Sequence, residues 1–243
     1  MASTGAMGVA VEEYGDSGLL VTFGQGSPAE RWTAAQNIAR RLTESPPPGL
    51  TDCLASFDTV FVSFDPVVAV HAEIAEAVEV AASPTGGGDA PPPAREAATF
   101  VVPVAFGGDD GPELQAVAQL LELDPDAVVR LYCAEEWTVR LLGSPLGAPL
   151  LDRADLPARI RPVPRLAEPR SRLEAGSFGI SGHQAIVYPL ASPGGWQLIG
   201  RTLTPLVRLG EPPWVGLRPG DRMRLRAVPR LDDTRGPLTQ EVP

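Results

Sequence analysis

The chain has 243 residues, with 20 basic against 30 acidic side chains and a formal net charge of −10. That length allows a sizeable core in one large domain or two small ones, and that charge repels a phosphate backbone, which argues against nucleic acid as a partner. Every basic residue is Arg and none is Lys, so P-loop, Schiff-base and biotin-accepting lysines are excluded, and ATP-driven activation would have to come from another chain.

Cys53 and Cys133 are far apart and form no framework, so they read as reduced core thiols of a cytosolic protein. With His71 and His183 the only histidines, no metal site is expected. No run reaches the length of a membrane span and the start lacks a charged-then-apolar leader, so a soluble, cytoplasmic protein is expected. From Arg159 to Arg230, twelve Arg face four acids, a net +8 that leaves −18 for the rest. Such asymmetry suits mutual docking of the two halves or an anion site in the second.

After a start that reads as disordered, Leu19–Phe23 alternates as a strand. "SPAE" then opens a helix: Ser27 caps, Pro28 suits the first helical position and Glu30 completes a capping box. Trp32, Ala35, Ile38 and Leu42 recur at helical spacing, and "SPPPG" ends the run. Strands follow near Asp52–Ala55 and Thr59–Phe64, then a helix over Val67–Ala82 that carries His71. The order β-α-β-β-α predicts a ferredoxin-like unit over residues 1–84, with two helices on one face of a small sheet.

"SPTGGGDAPPPAREA" (Ser83–Ala97) reads as a linker, set at 85–97. Beyond it come a strand at Thr99–Phe106, two short helices, the second capped by Asp124 before Pro125, and a strand at Glu136–Gly143. Strand-like pieces and Gly-Pro turns then run to Val228, the pattern of a β-barrel or sandwich over 98–230, with 231–243 expected as a flexible tail. The fold class is α+β.

No G-x-S-x-G, G-x-G-x-x-G, H-E-x-x-H or C-x-x-C signature is present. The dense chemistry lies in "PRLAEPRSRLEAGSFGISGHQAIVYPLASPGGWQLIGRT" (Pro164–Thr202). Arg165, Arg170, Arg172 and Arg201 offer planar forks for a carboxylate. His183, Gln184 and Tyr188 supply acid–base and hydrogen-bonding groups, Trp196 a stacking surface, and Gly194 and Gly195 close backbone approach. The bland reading stands beside this one: glycines bend barrel corners, Trp fills cores and surface Arg is solvated.

The same string resembles the family of the 5-oxoprolinase B subunit (PxpB), also called allophanate hydrolase subunit 1 or the KipI family, the carboxyltransferase C and D subdomain. "YGDSGLLVTFG" (Tyr14–Gly24), "FDTVFVSFDP", the stretch from Val102 to Gly143 and "PPWVGLRPGDRMRLRAV" resemble it too, so the likeness spans Tyr14 to Arg230. The resemblance implies a small α/β domain followed by a cyclophilin-like β-barrel. It further implies an ATP-dependent complex that opens 5-oxoproline to glutamate, inactive as this chain alone. The partners implied are a carboxyltransferase A/B-type (PxpC-like) subunit and a PxpA-like subunit, with ATP and Mg on the complex and none bound by this chain.

The sequence departs from the family at "LLGSPLGAPLLDRADLP", where Ser144, Leu146, Ala148, Leu150, Asp152 and Arg153 replace an aromatic, Gly-rich loop implied to line a shared cavity. "GHQAIVYP" keeps Gln184, Tyr188 and Pro189 of the family's motif. Two readings of different class stay open: the enzyme subunit, with catalytic His183, Gln184 and Tyr188, and a KipI-like inhibitor that docks on a sensor histidine kinase. A scaffold with a decayed site is the third.

Overall fold

Two strands open the chain, β1 (Val9–Glu13) and β2 (Gly18–Phe23), followed by α1 (Pro28–Glu44), β3 (Leu50–Ala55), β4 (Thr59–Phe64) and α2 (His71–Ala82). The structure is a computed structural model that describes residues 8–83, 96–143, 147–210 and 212–241. It divides into two units, Met1–Ala94 and Arg95–Pro243.

In the first unit the sheet order is β1-β2-β4-β3, antiparallel throughout. Alternation turns Leu19, Val21 and Phe23 of β2 and Val60, Val62 and Phe64 of β4 to one face, where they are buried with Ala35, Ile38 and Leu42 of α1 and Ile74, Val78 and Ala81 of α2. The start of α1 is fixed locally. Glu30 N donates to Ser27 Oγ at 3.3 Å and Ser27 N donates to the Glu30 carboxylate at 2.7 Å, and these Ser27 donors hold the Glu30 carboxyl below its usual range. α2 begins at His71 and not at Val67: Val70 is extended at the cap position and its N–H donates to Glu73 at 3.1 Å. The β-branched Val67, Val68 and Val70 disfavour an earlier helical turn. His71 Nε2 donates to Gly15 O at 3.0 Å and its ring meets Phe64 edge-on at 5.0 Å, a packing role.

Of the start expected to be disordered, Val9–Glu13 is strand β1, with Val9 opposite Phe23 and Glu13 opposite Leu19, and residues 1–7 lie outside the described residues. Its short "VAVEE" carries only Val9 and Val11 as a strand signal; pairing with β2 makes it a strand. The topology is the ferredoxin-like order with one change: the edge strand beside β2 precedes the unit's helices in the chain instead of following α2.

The second unit runs β5 (Thr99–Phe106), α3 (Leu114–Leu121), α4 (Pro125–Cys133), β6 (Trp137–Gly143), β7 (Ala148–Asp152), β8 (Arg170–Leu173), β9 (Ser177–Ser181), β10 (Gln184–Val187), β11 (Ser192–Gly194), β12 (Gln197–Arg201), β13 (Arg222–Val228) and β14 (Thr239–Glu241). Seven strands close a barrel in the order β5-β12-β9-β10-β7-β6-β13, and β13 returns parallel to β5. Its core holds Phe100, Val102 and Val104 of β5, Phe178 and Ile180 of β9, Ile199 of β12, and Leu114, Val117, Val128 and Tyr132 from the two helices. Asp124 caps α4, accepting from Ala127 N at 2.7 Å, with Pro125 next.

Residues 231–241, expected as a flexible tail, are built into this unit. Thr234 is buried; its Oγ1 accepts from Leu203 N at 2.6 Å, and its carbonyl accepts from Thr204 Oγ1 at 2.8 Å. β14 pairs with Thr99–Val101 of β5. All these partners are distant in sequence, so the polar segment carries no local signal of order. The linker expected at 85–97 falls mostly outside the described residues.

Candidate functional site

On β9, β10 and β12 the side chains alternate between two cores. Phe178, Ile180, Ala185, Val187 and Ile199 fill the barrel, while Ile186, Tyr188 and Leu198 face outward. The outward set is covered by the antiparallel β8–β11 ribbon and Trp196, forming a second, smaller core with Ala148 and Leu173.

The two adjacent glycines before Trp196 have different roles. A Cβ on Gly194 would lie 2.5 Å from Leu173 Cδ2 and 2.9 Å from the Tyr188 hydroxyl oxygen. A side chain there would force Leu173 or Tyr188 to shift, because the phenol packs close against the backbone. A Cβ on Gly195 would meet nothing nearer than Pro169, at 3.5 Å; this residue contributes its carbonyl, which accepts from Leu166 N at 2.8 Å.

Around this floor sit charged groups. The Arg165 guanidinium carbon lies 5.7 Å from the Trp196 ring centroid, in the range of a cation–π contact. Burial pushes the Tyr188 hydroxyl above its ordinary range, with the Arg165 charge opposing the shift; at neutral pH it is a hydrogen-bond donor. Arg170, opposite Gly194 in the ribbon, is ion-paired with Glu113, whose second oxygen accepts from Leu198 N at 2.7 Å. Arg170 Nη1 and Ser192 Oγ are both buried with no hydrogen-bond partner among the described residues. Two guanidinium groups, a phenol and a hydroxyl thus lie on or beside this second core.

The structure thus brings Arg165, Arg170, Tyr188, Gly194 and Trp196 into one neighbourhood, with Gly195 at its edge. The others lie elsewhere. His183 sits at the β9–β10 turn, five residues and roughly 16 Å of strand from Tyr188, where its Nε2 donates to Ile160 O at 3.1 Å. Gln184 is half-buried beside it, opposite Asp152 and Ser181. Arg172 makes a 3.2 Å pair with Glu174 on the surface, and Arg201 Nε donates to Ala175 O at 3.0 Å. Sequence reasoning missed Glu113 and Ser192. The first acts across 57 residues on Arg170, and no spacing signals that.

The divergent stretch is structural where it is described; Ser144 and Leu146 lie outside the described residues. Ala148 and Leu150 belong to the second core, and Asp152 accepts from Arg140 Nε at 3.1 Å. Arg153, 3% exposed, stands 5.2 Å from the Trp137 ring centroid, donates to Leu131 O at 2.7 Å and forks onto Asp155 at 3.0 and 2.7 Å. That fork holds the Asp155 carboxyl below its usual range. Neither cysteine is poised as a nucleophile: burial pushes both thiols up to about 11. Among the described residues no cluster of His, Cys, Asp and Glu could hold a metal, and no helix is long and apolar enough to cross a membrane.

Known proteins share both the sequence and the fold. The family described as carboxyltransferase domain, subdomain C and D, matches residues 9–215. The B subunit of 5-oxoprolinase from Bacillus subtilis (strain 168) is 32% identical over 243 residues, covering 91% of this chain and 94% of that one. Among solved structures, TTHA0988 superposes with a TM-score of 0.71 at 31% identity, covering 87% of this chain and 40% of its own. The urea carboxylase of Kluyveromyces lactis superposes with a TM-score of 0.77 at 18% identity, over 99% of this chain and 24% of that enzyme, a likeness of fold. The chain therefore spans less than half the length of either solved protein.

Proposed function

The chain belongs to the carboxyltransferase subdomain C and D family, and from that membership we propose that it is a non-autonomous subunit of an ATP-dependent 5-oxoprolinase complex, which opens 5-oxo-L-proline to L-glutamate. The observation that carries this reading is the nearly end-to-end likeness to a protein named as the B subunit of 5-oxoprolinase. In this reading Arg165 and Arg170 receive the substrate carboxylate, Tyr188 donates a hydrogen bond to it, and Trp196 walls the ring. His183 and Gln184, at the other end of β10, have no part in that cradle.

In this reading phosphoryl chemistry belongs to the partners, a carboxyltransferase A/B-type subunit and a PxpA-like subunit, since this chain offers no P-loop lysine. That a related unit occupies only 40% of the TTHA0988 chain supports a role beside further polypeptide.

Purified alone, the chain should show no 5-oxoproline-dependent ATP hydrolysis, and mixing it with both partner subunits should restore glutamate formation. Turnover by the single polypeptide, or full activity of the partners without it, would overturn the reading. In the restored complex, Arg170→Gln should raise the KM for 5-oxoproline at least about tenfold, since a charge-assisted fork would be lost.

A further inference from the structure

Among the described residues, three buried side-chain polar atoms have no hydrogen-bond partner: Gln36 Nε2 in the first unit, and Arg170 Nη1 and Ser192 Oγ in the second. The last two share the β8–β11 ribbon. A buried donor without a partner is costly, so a fold that keeps one in place calls for a physical reason. For Arg170 that reason starts at Glu113.

Glu113 stands at the cap position of α3, at the end of a segment laid against β12. β12 pairs with β5 only at Gly200 and Arg201; backbone groups of Leu198 and Ile199 go to this segment instead. Gly107 N donates to Ile199 O at 3.1 Å, and Gly111 lies so close that a Cβ would stand 2.1 Å from the same oxygen. Glu113 then takes both backbone groups of Leu198. Its N–H donates to Leu198 O at 3.0 Å, and one carboxylate oxygen accepts from Leu198 N at 2.7 Å. The other oxygen is left for Arg170 Nη2, on a carboxylate side chain that is 12% exposed.

A guanidinium is a rigid planar fork, so pinning Nη2 fixes Nη1 as well. Unpinned, the long side chain would spread over many rotamers. A free carboxylate could close the fork with both oxygens, but the second oxygen of Glu113 is committed to Leu198 N. Nη1 therefore stays open. A pair that served only to tie α3 to the ribbon would gain from a closed, bidentate fork and has no use for an open nitrogen.

We propose that Glu113 is a positioning residue of the 5-oxoproline site, holding Arg170 by Nη2 and reserving Nη1 for the substrate carboxylate. The assignment rests on the carboxylate reading above.

The test is steady-state kinetics of the complex restored from the full chain and both partner subunits. Glu113→Gln keeps the length but loses the charge, and should raise the KM for 5-oxoproline at least about tenfold while kcat changes less than about threefold, the pattern of lost binding. Added to Arg170→Gln, it should raise KM less than about twofold further, because Glu113 acts through Arg170. Arg170→Lys keeps the charge and can still pair with Glu113 but lacks the second fixed nitrogen, so its KM should rise at least about fivefold. A structural tie alone would lower the melting temperature of Glu113→Gln and leave KM where it was. A wild-type KM in either Glu113→Gln or Arg170→Lys, with that of Arg170→Gln raised, sinks the positioning assignment and leaves the carboxylate reading standing; Arg170→Lys decides alone if Glu113→Gln does not fold. Fully additive rises in the double variant would mean that Glu113 acts by another route, and also overturn it. If Arg170→Gln itself leaves KM unchanged, the carboxylate reading falls and takes this one with it.

Discussion

In the first unit four strands end in two edges and leave one face uncovered, with Leu54 and Tyr14 exposed upon it. In the second, seven strands return on themselves, and the outward side of three of them is covered again by the β8–β11 ribbon. The charges differ in the same sense. The first unit's guanidinium groups lie on one helix, away from the acids of the open face, whereas the second unit places Arg153 on Asp155, Arg140 on Asp152 and Arg170 on Glu113. A unit that satisfies its own surfaces can shape a cradle for a small molecule.

This contrast requires each unit to be stabilised by its own core, and graded substitutions test that. The largest effect is expected from Trp137→Ala. Trp137 is fully buried, stacks on Tyr132 with ring centroids 5.6 Å apart and donates from Nε1 to Tyr132 O at 3.0 Å. Its loss should destabilise the barrel by about 3–5 kcal/mol. Two-probe urea unfolding should show the barrel transition moving and the first unit's staying; movement of both would break the contrast.

Gly194→Ala comes next, at about 1–3 kcal/mol for overpacking against Leu173 and Tyr188. Gly195→Ala, with 3.5 Å of room, should stay within about 0.5 kcal/mol. Equal effects would mean that the second core does not need the close approach at Gly194. Smallest is Ser27→Ala, which removes the capping box of α1 and should cost the first unit about 1 kcal/mol, read as a lower midpoint of its transition alone.

What the sequence made legible was what neighbours in the chain decide. Ser27, Pro28 and Glu30 announce the start of α1 because the capping box closes within three residues, and Asp124 with Pro125 does the same for α4. What escaped depended on distant partners. β1 is a strand because Val9 meets Phe23, residues 231–241 are ordered by Leu203, Thr204 and β5, and Arg170 is held by Glu113. Within the candidate segment Pro164–Thr202, the sequence could not tell which residues lie together. Tyr188 and His183 are close in the chain, yet strand rise carries them to opposite ends of β10.

The parallel contact between β5 and β13 bears on how the polypeptide acquires its shape during synthesis. Thr99–Ala105 lies beside Arg222–Val228, so the first strand of the barrel lacks this neighbour until synthesis has passed Val228. The first unit, whose strands all lie before residue 65 and whose last helix ends at Ala82, has every contact it needs while the ribosome is still adding the rest. Emergence from the exit tunnel therefore favours a sequential order, with β5 and its apolar neighbours exposed to chaperones in the interval.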